Sequence, residues 1–128
     1  MKVVIAVDSF KGCLSAMDAG RALAAGMRTA CPWIEILECP MADGGEGTAS
    51  VMMSAMDGEW VESRVGGPLP GRRVRSGFAW FASKRLALVE MAAASGLVLV
   101  DPADRDPMKT STVGTGELLA AAARQGAE

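Results

Sequence analysis

The sequence has 128 residues, of which 50% are hydrophobic and 22% are charged, and its formal net charge is −2. This composition is typical of a soluble globular protein, and the lack of basic excess argues against a nucleic-acid partner. No apolar run is long enough to cross a membrane, and the first one stops at Asp8 without the features of a signal peptide. Histidine is absent, which excludes Ser-His-Asp sites, Cys-His sites and the usual zinc sites. Any acid–base chemistry must therefore come from Asp, Glu, Lys or Cys.

Three cysteines, Cys13, Cys31 and Cys39, are odd in number and lack the spacing of metal ligands. Without a secretion signal, we expect them to be reduced thiols in a cytoplasmic protein.

The first half of the chain predicts alternating strands and helices. The β-branched run Val3–Val7 predicts a strand buried on both faces of a parallel sheet. Ser15, with Asp18 three residues later, predicts a capped helix that ends near Thr29. Residues 34–39 predict a second strand and residues 47–56 a second helix. This order is typical of a parallel α/β sheet.

The second half predicts a different arrangement. Residues 59–65 and 73–80 predict an antiparallel pair, because the glycines and prolines of residues 66–71 form a strong turn signal. Two more apolar strands are predicted at Leu86–Met91 and Leu97–Val100, then a helix at Glu117–Arg124 that Gly126 ends.

The predicted fold class is α/β, with a Rossmann/flavodoxin-like parallel sheet and part of a second α/β subdomain. We predict the first part of a Rossmann-like domain at residues 1–58 and the start of a second α/β domain at residues 59–128. The chain stops after a helix, where an α/β pattern calls for another strand, so we expect a truncated piece of a larger protein.

Four polar clusters each follow a predicted apolar strand. Ligands bind outside the carboxyl ends of the strands in open α/β sheets, so we expect the clusters to gather at one edge where the sheet is parallel. They are Asp8–Gly12, Asp43–Thr48, Glu90–Gly96 and Lys109–Glu117.

The residue types in these clusters suit phosphoryl transfer, which depends on positioning and charge neutralisation. Lys11 and Lys109 can balance phosphate charge, and the N–H groups of Gly44–Gly47 and Gly114–Gly116 can hold a phosphate or carboxylate. Carboxylates can act as a base on a substrate hydroxyl or as ligands of magnesium, which prefers oxygen. The candidates are Asp8, Asp43, Glu46, Glu90 and Glu117. The chain has neither a P-loop nor a G-x-G-x-x-G motif.

Structural interpretations of the same residues remain open. Asp8 and Asp43 also fit helix-capping or turn positions, and Lys11 also fits a solvated surface lysine. Ser95-Gly96 is also compatible with a simple turn, Lys109-Thr110 with ordinary loop polarity, and Thr115 with a helix cap. Glu90, at the end of an apolar strand, favours function because an unpaired buried carboxylate is costly.

The four clusters, read together, resemble the amino-terminal part of the bacterial glycerate kinases that form 2-phosphoglycerate. The resemblance runs in the family's order over essentially the whole chain. It rests mainly on Asp-Gly-Gly-Glu-Gly-Thr at residues 43–48 and Glu-Met-Ala-Ala-Ala-Ser-Gly at residues 90–96.

The resemblance implies an ATP- and magnesium-dependent kinase of glycerate metabolism that phosphorylates D-glycerate, built from two α/β domains with the site in the cleft between them. The implied catalytic residues are Asp8, Lys11, Asp43 and Glu90, with Asp43 or Glu90 handling the substrate hydroxyl or the metal. The metal ligands are not assigned. The implied substrate- or phosphate-binding residues are Ser9, Phe10, Gly44, Gly45, Glu46, Gly47, Thr48, Ser95, Gly96, Lys109, Thr110, Ser111, Gly114, Thr115, Gly116 and Glu117.

A later glycine-rich motif of the family has no counterpart here, and the chain corresponds to about a third of the expected protein, so we expect it to be inactive alone. Two alternatives are a non-catalytic small-anion or phosphate-binding α/β module and a structural half that works only with a separate chain. We expect D-glycerate as a small-molecule partner and neither nucleic acid nor membrane, while assembly into a homo-oligomer stays open.

Overall fold

The computed structural model describes residues 1–128, which divide into two compact units, Met1–Val51 and Met52–Glu128. The division falls inside helix α2, Thr48–Ala55. The domain limits predicted from the sequence, residues 1–58 and 59–128, concern the complete protein and stay a prediction.

A β-α-β unit makes up most of the first part. Strands β1, Lys2–Ile5, and β2, Glu35–Glu38, pair in parallel with Val4 opposite Leu37, and helix α1, Ala16–Ala30, joins them. The predicted parallel strand-helix-strand arrangement is therefore confirmed, although both strands are shorter than predicted.

Helix α1 begins as its sequence predicts. The Ser15 hydroxyl oxygen accepts a hydrogen bond from the Asp18 N–H at 3.1 Å and lies 2.6 Å from the Asp18 carboxylate. The buried face of the helix carries only small residues, namely Ala16, Ala19, Gly20 and Ala24. Small side chains let a helix approach the strands beneath it closely.

One face of the parallel pair is not covered in this chain. Ile5 is buried, but Val4 is 56% exposed and its cross-strand partner Leu37 is 48% exposed. The prediction that residues 3–7 are buried on both faces is therefore wrong for this chain. The reason is that successive side chains of a strand point to opposite faces, and α1 packs against the pair from one side.

The second unit is built on an antiparallel sheet. Strand β3, Glu59–Gly66, pairs along its whole length with residues 73–80 of β4, Arg73–Phe81, and β5, Leu86–Leu88, pairs with the end of β4. The Gly67 N–H donates to the Arg72 carbonyl at 2.8 Å and closes the hairpin. The predicted antiparallel pair is confirmed, and with it the mixed α/β class.

Helices α3, Ala92–Ser95, and α4, Val113–Gln125, pack on this sheet. The core of the unit consists of Val65, Phe78, Trp80, Ala94, Leu118 and Ala122. Helix α4 ends at Gly126, whose φ of 105° is in the left-handed region, as the sequence predicts. None of the chain's helices combines the length and apolar character that crossing a membrane requires.

Two predicted strands in this unit need correction. The strand predicted over Leu86–Met91 stops at Leu88, and Leu97–Leu99 forms a 3₁₀ turn where a strand was predicted. Leu97 and Val98 are 61% and 76% exposed, so their apolar character does not reflect burial in a sheet. The Lys109–Glu117 cluster therefore does not follow a strand.

Candidate functional site

The loops that carry Asp8 and Asp43 leave the parallel pair at the same edge. Hydrogen bonding between the two segments continues beyond strands β1 and β2. The Cys39 N–H donates to the Ile5 carbonyl at 2.8 Å, and the Met41 N–H donates to the Val7 carbonyl at 2.9 Å. The two loops therefore begin side by side at the carboxyl ends of β1 and β2. We call residues 8–12 and 43–48 at this edge the acidic rim.

The first loop of the acidic rim is a compact turn. The Ser9 N–H donates to the Asp8 carboxylate at 2.6 Å, which fixes the orientation of that side chain. The N–H groups of Cys13 and Leu14 both donate to the Phe10 carbonyl, at 2.8 and 3.0 Å. Lys11 is exposed within this turn, so its ammonium group is accessible to a ligand.

The second loop holds Asp43 in a similar way. Its carboxylate accepts a hydrogen bond from the Gly45 N–H at 2.8 Å. Gly44 and Gly47 have φ values of 95° and 92°, a conformation that favours glycine. The Thr48 hydroxyl donates to the Gly45 carbonyl at 2.8 Å and joins the loop to the start of α2. Glycine at residues 44 and 47 is thus required by the loop's backbone conformation.

The acidic rim is open to solvent. The side chains of Asp8, Lys11, Asp43 and Glu46 are all exposed. Exposure leaves these side chains accessible, which suits a binding surface for a small polar ligand. The local hydrogen bonds of Asp8 and Asp43 also fit the turn-forming roles that the sequence left open.

In the second unit, the Glu90–Gly96 and Lys109–Glu117 clusters meet. The Ser95 and Thr115 hydroxyl oxygens are 2.7 Å apart, and the Thr115 hydroxyl lies 3.4 Å from the Met91 carbonyl. Glu90 is partly buried at the start of the turn that leads into α3, where its carbonyl accepts from the Ala93 N–H at 3.1 Å. These contacts join both ends of the short helix α3 to the first turn of α4.

Two glycines of these clusters are required by close approach. A Cβ atom on Gly96 would lie 2.4 Å from the Ala92 carbonyl oxygen, and one on Gly114 would lie 1.8 Å from the Gly66 carbonyl oxygen. Gly116, in contrast, has open space around its Cα. Gly96 and Gly114 therefore have a packing role whether or not they also contact a ligand.

The loop before α4 is fixed at several points. Lys109 pairs with Asp106 at 3.1 Å, the Ser111 N–H donates to the Pro68 carbonyl at 2.9 Å, and the Ser111 hydroxyl accepts from the Val113 N–H at 3.2 Å. Thr110 is exposed between these points.

The Glu117 carboxylate faces the end of β3. It accepts a hydrogen bond from the Gly66 N–H at 2.9 Å and lies 3.4 Å from the Arg73 guanidinium. Glu117 was expected among the ligand-binding residues, and the sequence predicted no role for Gly66 or Arg73. The glycine pair at residues 66–67 signalled only a turn, and nothing in the sequence indicated that α4 would lie over it.

A family model matches this chain over residues 3–128, and its description is the glycerate kinase family. The chain belongs to the glycerate kinase family. It is 47% identical, over its whole length, to the glycerate kinase of Bacillus subtilis (strain 168), and covers 33% of that protein. It is 43% identical over 127 residues to the glycerate 2-kinase of Escherichia coli (strain K12), of which it also covers 33%.

A crystal structure from the same family is similar to the fold described above. The protein, assigned as glycerate kinase 2 from Salmonella typhimurium LT2, is 48% identical to this chain with a TM-score of 0.79, and the match covers all of this chain and 34% of that one. The chain thus spans about a third of the length of the glycerate kinase family members that it matches.

The pKa of Glu62 is lowered by a hydrogen bond from Arg75 and by the charge of that guanidinium, but this pair lies on the exposed face of the β3–β4 hairpin.

No group of three or more His, Cys, Asp or Glu side chains is arranged to hold a metal ion. The three cysteines are unpaired thiols.

Proposed function

We propose that this chain is part of an enzyme that phosphorylates D-glycerate to 2-phosphoglycerate with ATP. The observation that carries the proposal is the acidic rim, where two loops with carboxylates, a lysine and glycines start side by side in a member of the glycerate kinase family. The Escherichia coli relative named glycerate 2-kinase supports the choice of the hydroxyl at carbon 2. As a metabolic kinase, it would act in the cytoplasm.

Asp43 is the carboxylate that we assign to the chemistry of the acidic rim. The Gly45 N–H holds its carboxylate at 2.8 Å, so its direction is set before a ligand arrives. An oriented, exposed carboxylate can accept the proton of a substrate hydroxyl as phosphate transfer proceeds. Asp8, fixed by the Ser9 N–H, offers a second oriented carboxylate at the same edge.

Lys11 is proposed to neutralise an anionic group of the substrate or the nucleotide. It is exposed within the short turn of residues 10–14, and an ammonium group on a flexible side chain can follow a moving phosphate. Phosphoryl transfer needs such charge neutralisation more than it needs a special nucleophile.

In the second unit we propose that Glu90, the Ser95 and Thr115 hydroxyl pair and the loop from Lys109 to Ser111 contribute further binding or catalytic groups. The support is that the local contacts bring the Glu90–Gly96 and Gly114–Glu117 segments together. Lys109 would share its charge between Asp106 and an incoming anion, since the ion pair is exposed and readily exchanged.

Magnesium fits the donor set of the acidic rim. This ion usually keeps several waters and takes one or two protein carboxylates together with substrate phosphates. Asp8 and Asp43 can provide such oxygen ligands without a cluster of three protein groups. The ion would help to neutralise the phosphates of bound ATP.

The direct test is D-glycerate-dependent release of ADP, measured on this 128-residue chain and on the complete product of its gene. We expect turnover from the complete product and none from the chain alone. In the complete product, Asp43→Asn should lower kcat by about 10²-fold or more. Asp57→Asn is the matched control, since Asp57 is an exposed aspartate after α2 with no assigned role.

Three results would count against this proposal. Asp43→Asn with unchanged kinetics would make Asp43 a turn residue. Binding of D-glycerate to the complete product without any ADP release would favour a non-catalytic anion-binding module. Activity that appears only after a second, separate chain is added would favour a structural half.

A further inference from the structure

The start of α4 and the loop before it are attached to the end of β3 and the turn that follows β3. The Gly66 N–H donates to the Glu117 carboxylate at 2.9 Å. Gly114 packs directly on the Gly66 carbonyl, leaving no space for a Cβ atom. The Pro68 carbonyl accepts from the Ser111 N–H at 2.9 Å. Three contacts thus hold residues 111–117 against residues 66–68.

Glu117 makes the only side-chain contact of these three. The oxygen that accepts from Gly66 also lies 3.4 Å from the Arg73 guanidinium, and Arg73 in turn donates to the Arg64 carbonyl. Hydrogen bonds to a charged acceptor are roughly twice as strong as neutral ones. The carboxylate is therefore engaged by the backbone and by an arginine of the β3–β4 hairpin.

These contacts determine where the neighbouring polar groups lie. Ser111 is tied to the hairpin turn. The hydroxyl of Thr115, two residues before Glu117, lies 2.7 Å from the Ser95 hydroxyl. If the Glu117 contact is lost, the first turn of α4 can move away from Gly66. The Lys109–Ser111 loop and the Ser95–Thr115 pair would then move with it.

We infer that Glu117 is a positioning residue that holds the amino-terminal part of α4 on Gly66 and does not itself contact the substrate. This inference rests on the proposed function for the part that concerns activity. It replaces the expectation that Glu117 binds substrate or phosphate, because its carboxylate already accepts the Gly66 N–H and faces Arg73.

Two variants separate the positioning role from direct contact. Glu117→Gln keeps a side-chain oxygen that can accept from the Gly66 N–H but removes the negative charge. Glu117→Ala removes the acceptor altogether. Glu62→Gln is the matched control, because Glu62 also pairs with an arginine of β4, Arg75 at 2.6 Å, but on the exposed face of the hairpin.

The first measurement is hydrogen exchange of the Gly66 amide, followed by NMR on the 128-residue chain. Glu117→Ala should speed exchange by about tenfold or more, the loss expected when a hydrogen bond to a charged acceptor is removed. It should also shift the Ser111 and Thr115 amide resonances. Glu117→Gln should restore most of the protection, and Glu62→Gln should change neither.

The second measurement is kcat/KM for D-glycerate in the complete product of the gene. Glu117→Ala should lower it by about tenfold or more, since small misplacements of binding groups are costly, while Glu117→Gln should recover most of the loss. Unchanged Gly66 exchange in Glu117→Ala would overturn the inference. A Glu117→Gln variant that restores Gly66 protection yet is as inactive as Glu117→Ala would also overturn it. That result would mean that the negative charge of Glu117 acts on a bound ligand.

The two proposals can fail independently. If no protein, wild type included, releases ADP with D-glycerate, the proposed function fails while the exchange data still decide whether Glu117 holds Gly66. If Glu117→Ala does not fold, hydrogen exchange of the Gly66 amide is compared between wild type and Glu117→Gln. A Gly66 amide that exchanges without protection in both proteins would contradict the hydrogen bond on which the inference depends.

Discussion

Replacing Gly114 with alanine should destabilise the second unit strongly, because helix α4 lies directly on the end of β3. The added Cβ would be 1.8 Å from the Gly66 carbonyl oxygen, where ordinary van der Waals contacts lie at 3.4–4 Å. The helix must therefore move by more than an ångström. Its other anchors, Leu118 and Ala122, are buried in the core, so the movement would open space there.

The expected loss follows from these contacts. Overpacking of a close contact typically costs about 1–3 kcal/mol, and displacement of α4 also weakens the Glu117 bond to Gly66. We expect Gly114→Ala to lower the free energy of unfolding by about 3 kcal/mol, which corresponds to roughly 10 °C in Tm for a chain of this length.

Urea unfolding followed by tryptophan fluorescence provides the assay, since Trp80 lies in the same core as Leu118. Gly116→Ala is the matched control, because a Cβ atom on Gly116 would meet only open space in the same helix. This variant should raise the free energy of unfolding by about 0.5–1 kcal/mol. If the two variants were equally stable, the close packing of α4 on β3 would be refuted.

Two further stability predictions concern local hydrogen bonds. Ser15→Ala removes the cap of α1 and should cost about 0.5–2 kcal/mol, measured by urea unfolding; a loss below the error of the method would show that the cap contributes nothing. Ser95→Ala and Thr115→Ala, combined in a double-mutant cycle, should give a coupling energy of about 1 kcal/mol for the hydroxyl pair. Strict additivity would contradict the 2.7 Å contact.

The features that the sequence predicted correctly depend on short-range signals. The Ser15–Asp18 capping pattern, the turn signal of residues 66–71 and the helix stop at Gly126 each involve residues close together in the chain. The β1–β2 pairing was also predicted, because alternating strands and helices leave few topologies.

The errors arise where distant parts of the chain decide the structure. Leu97–Val100 has the apolar character of a strand, yet Leu97–Leu99 forms a 3₁₀ turn. A short apolar run does not reveal whether a neighbouring strand is available to pair with it. Helix α4 starts at Val113, four residues before the predicted start. Two glycines disfavour a helix there, but the fit of Gly114 against Gly66 selects it.

The candidate site was predictable in part for the same reasons. Asp8 and Asp43 follow parallel strands, so their common edge could be inferred from the order of elements. The roles of Gly66, Arg73 and Glu117 depend on a helix lying over a hairpin that precedes it by more than thirty residues in the chain, and the sequence shows no local sign of that contact.

The proposed function requires the acidic rim to bind a small anionic substrate. The most direct measurement is NMR mapping of amide shifts in the complete product of the gene as D-glycerate is added. We predict saturable shifts in both rim loops, residues 8–12 and 43–48, that Lys11→Ala weakens. Saturable binding that leaves both loops unshifted, or that Lys11→Ala does not affect, would contradict the claim.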